Sequence, residues 1–211
     1  MTPWIVVPSR YPDIFEPFAK HLDAVAAQVF KVVIRDGDQI KVPQSFFWSL
    51  RQGKEPFVYA QAFNIGVEAT GDSDIVIMGD DVTVKTPNFV EIMQKSAYED
   101  KKRIVVPTIL PHGGSPFICC YIRREILNEV GPMDDAFKGY GYEDTDYYTR
   151  YEALGYYTHV IKEVVVDHGT PGMTWFRRQD TENGIQVMKS CAENKRQFAR
   201  KWNRPEMDDG Q

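Results

Sequence analysis

Glu143, Asp144 and Asp146 fall within four positions of the stretch GYGYEDTDYYTR (139–150), directly behind a glycine–tyrosine hinge. Carboxylates that close repel one another unless each has a partner or a task. A second pair, Asp80–Asp81, follows the apolar run DIVIM (74–78) as GDDV, and Asp167–His168–Gly169 follows VIKEVVV (160–166). Arg35–Asp36–Gly37–Asp38 follows KVVI (31–34). Any one of these could be a turn, since Asp and Gly form turns readily. Jointly they offer the two chemistries carboxylates and imidazoles perform: holding a divalent cation beside an anion, and taking a proton from a hydroxyl. Asp80 and Asp81, adjacent at a strand end, call for a cation between them and something anionic. His168 is as good a ligand candidate as a strand-closing residue. His21 and His159 read as structural or exposed, and His112 in PHGGSP sits in a loop that could cover a site.

The elements that must carry these residues can be read from periodicity. Short β-branched runs at 4–8, 31–34, 74–78, 103–107, 117–122 and 160–166 are bounded by Pro, Gly or Asp, as buried strands are. Between them, Phe15, Phe18, Ala19, Leu22, Val25 and Ala26 repeat at helical spacing, as do Phe89, Ile92, Met93 and Ala97 after Thr86–Pro87. Val58 to Ala69 reads as a helix ending near Gly71. Strands alternating with helices predict an α/β sandwich with a mostly parallel sheet, whose ligands sit beyond the carboxyl ends of the strands. The acids and His168 follow such ends.

A helix beginning near Tyr142 puts Asp144 on one inward stripe with Tyr147, Tyr148, Tyr151 and Leu154. Asp146 then lies one turn before Arg150, to which it can pair on the helix surface. The segment from about 177 to 204 is helical in pattern and locally basic, with Arg177, Arg178, Lys189, Lys195, Arg196, Arg200, Lys201 and Arg204. A solvated helix face is the expected reading, ahead of a polyanion-binding surface.

The 211 residues fit one domain, and a hydrophobic share of 43% supports a core of ordinary size. A net charge of −5 argues against a surface built throughout to grip nucleic acid. Three cysteines, two of them adjacent, do not make a disulfide framework and suit a reducing compartment. The first apolar run is far shorter than the ~20 residues a membrane helix needs. A soluble, cytoplasmic protein is expected. Neither a P-loop nor a dinucleotide-binding glycine pattern is present. A haloacid-dehalogenase-type phosphatase would need Asp-x-Asp where the first strand is followed by Pro8–Ser9–Arg10, and a polymerase would need a longer chain.

The order of V-x-P-S-R, strand–Asp36, FNIGVEA (63–69), strand–GDDV, IRREILNEVGPMDDAFKGYGYEDTDYYTRYEALGY (122–156), DHG and FARKWN (198–203) resembles the GT-A family 2 glycosyltransferases over nearly the whole chain. The resemblance implies a single GT-A domain over 1–211. Within it, 1–110 is a nucleotide-sugar-binding half, 111–175 an acceptor and catalytic half, and 176–211 a helical tail. It implies transfer from a nucleotide-diphosphate sugar to an acceptor hydroxyl, with inversion, using Mn²⁺ or Mg²⁺. Asp36 would read the base, commonly uracil, with Pro8 and Arg10 lining that pocket and Asn64 on the helix beside the donor. Asp81 and His168 would ligate the metal, with Asp80 toward the sugar or ribose. Asp144 would be the general base, with Glu143 and Tyr142 at the acceptor. Gly79 and Phe63 depart from the pattern, standing where many relatives carry an acid and an Arg. Two other expectations stay open: a modified nucleic-acid base as acceptor, and an inactive module that only binds a nucleotide or glycan.

Overall fold

The computed structural model describes residues 2–35, 39–54, 58–111, 113–139, 141–169 and 182–205, of which 182–188 are described by backbone alone. Strands β1 (Trp4–Ser9), β2 (Phe30–Arg35), β3 (Trp48–Gln52), β4 (Ile75–Met78), β5 (Thr83–Val84), β6 (Arg103–Leu110), β7 (Cys119–Ile122) and β8 (Tyr157–Asp167) form one sheet. Their order is β3-β2-β1-β4-β7-β6-β8-β5. The β3-β2-β1-β4 half is parallel throughout, as is the β6–β8 pair, whereas β7 runs antiparallel to both β4 and β6. Helices α1 (Pro12–Val25), α2 (Tyr59–Ala69), α3 (Phe89–Glu99), α4 (Arg124–Val130), α5 (Glu143–Ala153) and α6 (Glu182–Lys201) complete the fold.

The apolar runs become strands because both faces of the sheet are covered. Ile5–Val7, Val32–Ile34 and Ile75–Met78 are fully buried, as is the adjacent pair Cys119–Cys120, whose side chains point to opposite faces. The helical patterns form α1, α2 and α3 where spacing predicts them, each burying its apolar stripe: Phe15, Phe18, Ala19 and Leu22 on α1, Phe89, Val90, Met93 and Ala97 on α3.

Three features differ from the expected pattern. Phe117 and Ile118 leave the strand for a 3-10 turn (Pro116–Ile118) capped by the Ser115 side chain, so β7 starts only at Cys119. Strand β3 was not legible because, at the sheet edge, it exposes much of itself and carries no apolar run. Strand β5, two residues long, is too short to leave a periodic signal. Among the described residues no helix is long and apolar enough to cross a membrane.

Candidate active site

Three strand ends converge at one edge. Strand β1 pairs with β4 in parallel, Val6 opposite Ile77, so three residues further on Ser9 lies level with Asp80. The Ser9 hydroxyl donates to Asp80 Oδ2 at 2.6 Å. Burial, reinforced by the Asp81 charge and opposed by the Ser9 hydrogen bond, pushes the Asp80 carboxyl up to about 7. Beyond Asp81 the chain forms β5 and pairs antiparallel with the end of β8, Thr83 opposite Asp167. The His168 backbone N–H is anchored on the Leu110 carbonyl at 3.1 Å. This pairing brings His168 Nε2 to 3.3 Å from Asp81 Oδ2, with both side chains partly open to solvent. The contact with Asp81 raises the His168 pKa against the opposing effect of burial.

An imidazole nitrogen and a carboxylate facing each other at an open edge fit a hard divalent ion such as Mn²⁺ or Mg²⁺. Among the described residues no group of three His, Cys, Asp or Glu side chains converges on one point.

The second acid cluster is tied to the first through the 3-10 turn that precedes β7. The Gly79 N–H donates to the Ile118 carbonyl at 3.0 Å, fixing the 3-10 turn beside the GDD strand end. Ser115, which caps that turn, donates to Asp144 Oδ2 at 2.6 Å. Asp144 is half-buried at the first turn of α5. Its neighbour Glu143 is only 4% exposed, and its Oε2 has no hydrogen-bond partner among the described residues. Burial first and the Asp144 charge second push the Glu143 carboxyl up to about 8.

The inward stripe of α5 is thus headed by Glu143, not Asp144. Glu143, Tyr147 and Tyr151, spaced by four, are buried, while Leu154 is 45% exposed. Asp144 lies about 100° around the helix from Glu143, turned to Ser115. Tyr147 packs edge-on against Phe63 and Phe117, so Phe63 is a core residue rather than a site residue.

Asp146 also departs from expectation. It does receive Arg150 Nε at 3.0 Å, but it is fully buried and also bonds Trp202 Nε1 at 2.9 Å and Lys201 Nζ at 2.8 Å. It anchors the end of α6 rather than forming a surface pair. Upstream on α6, Asn194 donates to the carbonyls of Lys138 and Gly141 at 2.8 and 2.9 Å. A Cβ on Gly139 would meet Ser190 Oγ at 2.7 Å, and one on Gly141 would meet Cys191 Sγ at 2.8 Å. Both glycines also have positive φ, +68° and +99°. The hinge before the acids is glycine-rich because α6 lies directly on it.

The remaining candidates divide. Pro8 is buried within β1, opposite Ile34, and Arg10 is half-buried with its guanidinium over the Tyr11 ring. Asn64 spends both ends of its amide on the Met133 backbone, at 2.9 and 2.8 Å, clamping α2 to the GPMDD loop. Tyr142, at φ +68°, packs its ring on Phe198, 5.6 Å between centroids. Asp36, His112, Arg177 and Arg178 lie outside the described residues. His21 bonds the Val84 carbonyl, the structural role expected of it. On α6, Lys189, Arg196 and Arg200 lie on the solvated face, while Lys201 turns inward to Asp134 and Asp146. Sequence reasoning missed Ser9, Ser115, Asn194 and Trp202; only Ser115, just ahead of Pro116 and a turn, carried a local capping signal.

No family model matches the sequence, and no curated protein does. Solved structures do. Mannosyltransferase PcManGT from Pyrobaculum calidifontis, in complex with GDP-Man and Mn²⁺, aligns over 91% of this chain at 15% identity with a TM-score of 0.66. GalNAc-T7 with UDP, GalNAc and Mn²⁺ aligns over 82% at 12% identity, TM-score 0.65. The catalytic domain of Drosophila beta1,4galactosyltransferase 7, in complex with xylobiose, aligns over 74% at 16% identity, TM-score 0.54. The alignments span 63%, 45% and 63% of those chains respectively. The fold is the GT-A fold of glycosyltransferases.

Proposed function

We propose that the chain is an inverting, metal-dependent glycosyltransferase of the family 2 type. It moves a sugar from a nucleotide-diphosphate sugar, UDP-linked in the first instance, to an acceptor hydroxyl, on a glycan before a nucleic acid. The observation that supports this most is the pair of ties, Gly79 to Ile118 and Ser115 to Asp144, which link the Asp81–His168 edge to a half-buried carboxylate at a helix start. The whole of 1–211 acts as one domain, with 1–110 serving the donor, 111–175 the acceptor, and α6 within the 176–211 tail bracing the hinge.

Asp81 and His168 hold a divalent ion, Mn²⁺ or Mg²⁺, which when bound neutralises charge on the leaving diphosphate. Asp80, steadied by Ser9, faces the sugar or ribose. Pro8, Arg10 and Asp36 shape the nucleotide pocket, and Asn64 contributes by fixing α2 beside it. Asp144 removes the acceptor proton as the hydroxyl oxygen attacks the anomeric carbon from the side opposite the diphosphate. The new glycosidic bond forms as the bond to the diphosphate breaks, and the anomeric centre inverts. Glu143 and Tyr142 orient the acceptor.

A thermal-shift screen of UDP-, GDP- and dTDP-sugars with Mn²⁺ tests this reading. One donor at a hundred times its Kd should stabilise the chain by about 2.7 kcal/mol, and EDTA or Asp81→Ala should abolish the response. Asp144→Asn should keep the response and lose release of nucleoside diphosphate by about a hundredfold or more. Indifference to every donor, or full turnover in Asp144→Asn, overturns it.

A further inference from the structure

Three protein groups divide the two oxygens of Asp144. Oδ1 accepts from the Thr145 backbone N–H at 2.7 Å and from the Thr145 hydroxyl at 3.2 Å, and is thereby committed to its own helix. Oδ2 accepts only from Ser115, at 2.6 Å, among the bonds described. Ser115 Oγ itself accepts from the Phe117 N–H at 3.2 Å. With one lone pair facing that donor, the single hydroxyl proton is directed to the carboxylate. The turn that carries Ser115 is fastened to the acidic strand end through Gly79 and Ile118.

We propose that Ser115 is a positioning residue: its hydroxyl fixes the Asp144 carboxylate, with Oδ2 turned toward the strand-end edge where an acceptor hydroxyl must arrive. This rests on the reading of Asp144 as the general base. A hydrogen bond donated to a carboxylate favours its charged form and fixes its rotamer. Among the described residues, Glu143 on its own helix and Cys191 on α6 feel the Asp144 charge; burial raises both, followed by Asp144 for Glu143 and by Glu143 and then Asp144 for Cys191. Neither supplies a positive charge. Ser115 therefore provides a stabilising contact that these two neighbours cannot.

The decisive experiment titrates the Asp144 carboxyl by carbon NMR, assigned with Asp144→Asn, in the wild type, Ser115→Ala and Ser115→Thr. Loss of one charge-assisted hydrogen bond should raise the Asp144 midpoint by about one pH unit in Ser115→Ala, and Ser115→Thr should restore it. With a responsive donor and Mn²⁺, release of nucleoside diphosphate by Ser115→Ala should show its acidic limb displaced upward by the same amount. Well down that acidic limb kcat should fall roughly tenfold, with little change on the plateau above it, while the donor KM stays unchanged. An unshifted midpoint in a folded Ser115→Ala, or a lower kcat without a displaced limb, overturns the proposal. A shifted midpoint in a wild-type background that releases no nucleoside diphosphate sustains the Ser115–Asp144 coupling and refutes the transferase reading instead.

Discussion

At the scale of single residues, Glu143 couples the site to pH. Its carboxyl titrates at about 8 in the folded chain, against a reference value of 4.5, because burial and the Asp144 charge both disfavour ionisation. Between those values the native state keeps a proton that the unfolded chain releases. Stability therefore falls as pH rises from about 4.5 to about 8, and the penalty is absent below that window and complete above it. Gln has the shape of the protonated acid and never ionises. Glu143→Gln should raise Tm at pH 8 by roughly 10 °C and at pH 5 by only about 2 °C, as measured by calorimetry across that range. Parallel Tm profiles for the two proteins would mean that Glu143 ionises freely.

At the scale of elements, the meeting of α5 with α6 decides how firmly the acids are held. The fully buried Asp146 carboxylate gathers Arg150, Lys201 and Trp202, while Asn194 holds the hinge carbonyls. Asp146→Asn removes the charge and leaves two cations short of a counter-ion, although Lys201 keeps Asp134. Hydrogen bonds to charged groups contribute about 1.5–3 kcal/mol each, so a loss of about 2–3 kcal/mol in urea unfolding is expected. Amide exchange should accelerate over 194–202 ahead of the rest of the chain. A loss of a few tenths of a kcal/mol, the size of an exposed i,i+4 pair, would show that the end of α6 does not depend on this carboxylate.

For the whole molecule, the sheet runs without a break through the division at residue 110. Strand β4 of the first half pairs with β7 of the second, and β8 of the second pairs with both β5 and β6 of the first. From β4 to β5 the strands of the two halves alternate, β4-β7-β6-β8-β5, so neither half can keep its own core alone. Unfolding should be a single cooperative transition, with far-UV and near-UV circular dichroism giving the same urea midpoint. Two separated midpoints would contradict an interleaved domain.

The sequence by itself determined the α/β architecture, the presence of each central strand though not its exact bounds, and the places where acids and His168 collect. These are local properties: β-branched runs, 3.6-residue periodicity and the residues that directly follow a strand are all written within a few positions. It also determined that α5 opens with acids, but not which of them faces inward. Only the tertiary structure decided the partners. Ser9 reaches Asp80 across 71 residues, Ser115 reaches Asp144 across 29 and Trp202 reaches Asp146 across 56. A serine or tryptophan that far along the chain carries no periodic mark of what it will touch. The fold sets how buried a carboxylate is and what it meets, and so whether Glu143 keeps its proton, Asp144 meets Ser115, or Asp146 becomes an anchor.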